Sequence, residues 1–143
     1  MRKVLPLLLL VVGLFFSSGC SSLTAEGQQN LGRQQRVFVE ERLNDNLGIS
    51  RAIAAELRAL GYDADHGPLT MAPDDTQLIV TYDAREAWDG RQYLIELNIA
   101  ARPATSYHRI IAAARYFRPG ITNKSSGEMV HEAVQKLFPP FGR

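Results

Sequence analysis

The sequence predicts an α+β fold: a two-layer sandwich, a mostly antiparallel sheet in the order β-α-β-β-β-α, with both helices on one face. Three observations carry this. Two segments repeat their apolar residues at helical spacing, and each has a terminus signal. Two long segments flank an Asp-Gly pair, the signature of a tight hairpin. A short strand-like run precedes all of them.

Arg36-Val37-Phe38-Val39-Glu40-Glu41 reads as the first strand, broken by Asn44-Asp45-Asn46. A helix is expected from about Ile49 to Leu60, where Ile49, Ala52, Ile53, Leu57 and Leu60 share one face. Gly61 is placed to end it, with Tyr62 folding back on Leu57 in a Schellman-type cap. His66 to Thr76 reads as a loop. Leu78–Trp88 and Arg91–Ala101 form the hairpin, turning at Asp89-Gly90 and facing Leu78, Val80, Tyr82, Ala84, Tyr93, Ile95, Leu97 and Ile99 to the core. Tyr107–Phe117 is helical by its alanine content, yet a strand is preferred because the hairpin edge needs a partner. The last helix starts at Ser125, with Glu128 completing a capping box, and buries Val130, Ala133, Val134 and Leu137 before Pro139-Pro140.

The N-terminus has a different character. Arg2 and Lys3 precede an apolar run from Val4 to Phe16, and Ser17-Ser18-Gly19 lead to Cys20, the only cysteine of the 143 residues. The run is shorter than the roughly 20 residues needed to span a bilayer, and fits an export signal. Ser17-Ser18-Gly19-Cys20 resembles the bacterial lipobox, although Ser17 stands where an aliphatic residue is usual. The resemblance implies cleavage after residue 19 and acylation of Cys20. Two or three acyl chains would anchor the protein stably. Residue 21 is Ser rather than the Asp that favours inner-membrane retention, which implies the periplasmic face of the outer membrane. Residues 20–35 are polar, with four Gln, and are expected to be a flexible tether reaching at most about 50 Å. Residues 36–143 are then a single domain.

Cleavage removes Arg2 and Lys3 from the 16 basic residues and none of the 15 acidic ones, leaving 14 against 15. A near-neutral domain argues against a nucleic-acid partner. No glycine-rich phosphate loop is present, and His66, His108 and His131 lack ligand-like spacing. Asp74-Asp75 fits ordinary turn chemistry. No catalytic residue, metal or cofactor is therefore expected. Trp88, beside the turn, either caps the core or faces a partner.

The outer sheet face is the candidate site. Pairing Trp88 with Arg91 sets Asp83 opposite Glu96, with Arg85 and Arg115 opposite Leu94. Arg85, Trp88, Arg102, Arg109 and Arg115 are the expected partner-binding residues, because a sheet covered by helices on one side leaves the other free. The element order is similar to small α+β domains of envelope-assembly lipoproteins, including the lipopolysaccharide-transport lipoprotein and the N-terminal domain of the Tol-system β-propeller protein. It implies a non-enzymatic envelope interaction module with a protein partner. The alternative is a lipoprotein that holds a small ligand between sheet and helices.

Overall fold

The computed structural model describes residues 21–120 and 124–142, so the signal segment and Cys20 lie outside the described residues. In chain order the strands are β1 (Ser22–Glu26), β2 (Arg36–Glu40), β3 (Asp63–Gly67), β4 (Leu78–Trp88), β5 (Gln92–Pro103) and β6 (Ala112–Phe117). The helices are α1 (Ile49–Ala59) and α2 (Ser126–Leu137). They pack on one face of a single sheet ordered β1-β6-β5-β4-β2-β3.

Both helices end as their sequences require. Gly61 takes a left-handed φ of 95°, its amide donates to Arg58, and the Tyr62 amide donates to the Leu57 carbonyl, which closes the Schellman cap. At the start of α1 the Asp45 carboxylate accepts from the Ile49 and Ser50 amides at 2.7 and 2.8 Å. Burial pushes that carboxyl up, but these amides more than offset it and hold the group below its usual range. Ser125 and Glu128 exchange the two reciprocal bonds of a capping box at α2. The buried stripes Ile49, Ile53, Leu57 and Met129, Val130, Val134, Leu137 meet Val37, Val39, Val80, Leu97, Ile99 and Tyr116 from the sheet. Each large apolar side chain buried here contributes about 1.5–3 kcal/mol.

The structure corrects the expected topology in four places. The sheet is mixed: β2 runs parallel to both β3 and β4, and only β4-β5-β6-β1 is antiparallel. Asp63–Gly67, expected to lead into a loop, is edge strand β3. It carries only Ala64 as an inward apolar side chain, too little for a visible alternation.

The expected tether is structured. Residues 22–26 pair with β6, residues 28–33 form a 3-10 turn, and Leu31 is fully buried in the core. Gly27 permits this close return: with φ at 80°, a Cβ there would sit 2.1 Å from the Ile111 carbonyl oxygen. The third hairpin strand is shorter than Tyr107–Phe117, beginning only at Ala112. Residues 104–111 form a loop across the sheet end.

The hairpin register also differs. Its turn has three residues, Asp89-Gly90-Arg91, so Trp88 faces Gln92. A β-bulge then shifts the pairing between Arg85 and Glu86, leaving Ile95 without an opposite residue. A bulge of this kind changes which side chains share a face. Leu94 therefore points to the core in place of Tyr93 and Ile95, both half-buried.

Candidate interaction face

With the bulge in place, Arg85, Glu96 and Phe117 lie abreast on β4, β5 and β6, and Arg115 faces Asn98. The expected contact of Asp83 with Glu96, and of Arg85 and Arg115 with Leu94, does not occur. Glu96 sits between the two arginines instead, 3.5 Å from the Arg85 guanidinium and 2.8 Å from Arg115 Nε. Both guanidinium groups also lie over the Phe117 ring, at 6.0 and 5.7 Å from its centroid. Asn98 donates to Glu96 at 3.3 Å; this bond, opposed by burial and reinforced by the two arginines, holds the Glu96 carboxyl below the usual carboxylate range. Asp83 is held elsewhere, by Arg42.

A second group lies toward the other end of the same face. Arg102 donates to Thr81 at 3.3 Å and to the Tyr107 carbonyl at 3.0 Å, and its guanidinium lies 5.4 Å from the Tyr107 ring. The Tyr107 hydroxyl donates to Glu40 at 2.7 Å, which together with burial raises the phenol pKa. Between the two groups the small side chains of Ala100 and Ala113 leave a groove of about 500 Å³, walled by Thr24, Thr81, Asn98 and Arg115.

The five expected partner-binding residues thus fall into separate places. Arg85 and Arg115 form one cluster and Arg102 anchors another. Arg109 is exposed in the 104–111 loop. Trp88 does not cap the core: it is 74% exposed at the hairpin tip, nine residues along β4 from Ile79, the partner of Arg102. Glu96 and Phe117 are the residues that organise the first cluster, and their role depends on a bulge that no residue pattern announces. Among the described residues no three His, Cys, Asp or Glu side chains converge to hold a metal ion, and no helix is long and apolar enough to cross a membrane.

No family model matches the chain, and no curated protein matches it in sequence. Solved structures do. Its fold is similar to that of PelC. The PelC dodecamer from Paraburkholderia phytofirmans superposes with a TM-score of 0.65 at 12% identity, over 87% of this chain and 100% of that one. A dodecameric point variant of PelC from the same organism gives 0.62 at 13% identity, covering 82% and 98%. A minor lipoprotein from Acinetobacter baumannii is a looser match, with a TM-score of 0.39 at 10% identity over 72% of this chain and 87% of that one.

Proposed function

We propose that this chain is a non-enzymatic lipoprotein, anchored through Cys20 at the periplasmic face of the outer membrane and serving as an envelope assembly module. The observation that carries the reading is a fold shared along the full length of PelC, a protein seen as a dodecamer. The lipobox-like Ser17-Ser18-Gly19-Cys20 and Ser21 support the anchor and its membrane. The open face supplies docking groups: Arg85 and Arg115 are more than half exposed, and the acid they share leaves guanidinium donors free for a partner.

The test begins with acylation. Palmitate label should appear on the wild type and vanish in Cys20→Ser. The acylated protein, extracted in mild detergent, should run larger than a monomer by native mass spectrometry, with copies of itself or an envelope protein. Arg85→Glu combined with Arg115→Glu should dissolve that assembly while circular dichroism stays native. Reversal places three acids around Phe117, and like charges across an interface can cost several kcal/mol. A strictly monomeric wild type without a co-purifying protein would reject the reading. A second reading, binding of a small ligand, is favoured by the groove over Ala100 and Ala113, on the opposite side of the sheet from the one expected.

A further inference from the structure

The residues next to Cys20 fix how close an anchored domain must stand to its membrane. Ser22 already belongs to β1, so one residue, Ser21, and two Cα-to-Cα steps of at most about 7 Å in all separate Cys20 from the folded sheet. The end of the sheet that carries Ser22 is therefore the end nearest the lipid.

That end has a definite composition. Ser22 lies level with Phe117, Glu96 and Arg85 across four strands. From this level β4 continues three residues to Trp88, about 10 Å further in the direction in which the chain leaves β1 toward Cys20. The sideways offset from β1 to β4 is three strand spacings, about 14 Å. The interfacial layer of each leaflet is only about 6 Å thick. A tip projecting that far, beside an anchor that short, reaches the headgroups.

We infer that the β4–β5 hairpin tip docks into a phospholipid surface, with Trp88 as its inserted side chain. This rests on the anchored reading above. Trp88 is the side chain an interface selects, an apolar ring with one polar N–H. Leu43, fully exposed, leaves the loop after β2 at the same end, one residue beyond the Arg42 that pairs with Asp83. Arg91, exposed in the turn, is placed for a lipid phosphate. Of the acids at this end, Glu96 is paired with two arginines and Asp83 with Arg42, while Glu86 keeps its charge and accepts a hydrogen bond from Gln92, and Glu41 and Asp89 are exposed.

Trp88 is the only tryptophan of the chain, so fluorescence reads this site without any substitution. The mature protein, its Cys20 acylation measured by mass spectrometry, is reconstituted into vesicles of phosphatidylethanolamine and phosphatidylglycerol. Trp88 emission should shift to the blue relative to detergent-free solution, lose most of its quenching by aqueous acrylamide, and gain quenching by lipids brominated near the top of the acyl chain. An acylated, vesicle-bound protein whose Trp88 still emits as in water and is quenched by acrylamide would overturn this inference and leave the anchor standing. A blue shift without bromine quenching would overturn it in favour of a protein contact at the tip. Unacylated Cys20 would overturn the anchored reading, and this inference with it.

Discussion

The two halves of the sheet use the same outer face in opposite ways. On the parallel side, Phe38 of β2 points away from the helices yet is only 2% exposed, and Ile79 at the start of β4 only 7%. The 68–77 loop folds back over them: Pro73 and Thr76 share a small cavity with Phe38, whose ring also packs where Gly67 has no side chain. On the antiparallel side the equivalent positions are Thr24, Asn98, Arg115 and Phe117; among the described residues the 104–111 loop only borders them, through Ile110 at the groove, and they stay partly or fully exposed. One half is a three-layer core in miniature. The other is a two-layer sandwich with a free polar surface, and that freedom makes it the candidate docking side.

Substitutions can break this contrast, beginning with the largest effect. Phe38→Ala should cost about 3–5 kcal/mol in urea denaturation, as for a fully buried aromatic, whereas Phe117→Ala should cost well under half of that. Equal losses would mean that both faces are buried alike. Gly27→Ala should cost more than about 1 kcal/mol, because alanine resists the positive φ and its Cβ meets the Ile111 carbonyl. A silent substitution in thermal melts would return residues 21–35 to the status of a loose tether. Ser125→Ala should remove about 0.5–2 kcal/mol by uncapping α2, and an unchanged melting midpoint would place the helix start elsewhere.

The smallest effect is expected on the open face. Glu96→Gln should lower the melting temperature by no more than a few degrees at neutral pH, since exposed ion pairs contribute little. Its pH dependence is more telling. The folded-state pKa of Glu96 is lowered, so its contribution is present above the unfolded carboxyl's titration and is lost as pH falls through the folded value. Wild type and Glu96→Gln should therefore converge in stability as pH falls below the ordinary glutamate range and through the lowered folded-state value. Curves that remain parallel through the acid range would deny the arginine–glutamate link.

The same contrast explains what could be read in advance. Elements whose signals are local were legible: the Gly61-Tyr62 cap, the Ser125–Glu128 box, the long hairpin and the inward residues of β4. The edge strands were not. β1, Ser-Leu-Thr-Ala-Glu, offers the core only Leu23 and Ala25, and β3, Asp-Ala-Asp-His-Gly, bears outward acids that suit an edge and mimic a loop. Their strand character comes from the neighbours they pair with. The bulge at Arg85/Glu86 is likewise set by packing, and it turned an expected acid–acid contact into the Arg85–Glu96–Arg115 cluster. The arginines of the site were visible individually; their grouping was not, because register decides which of them meet.

β1 also has a mechanical meaning. Under the anchor proposed above, a chain held through Cys20 would be pulled along the length of β1. The five residues paired with β6 are then loaded in shear, so their bonds must yield together, as peeling would not require. The weakest-looking strand of the sheet, short and at its border, is oriented to carry tension.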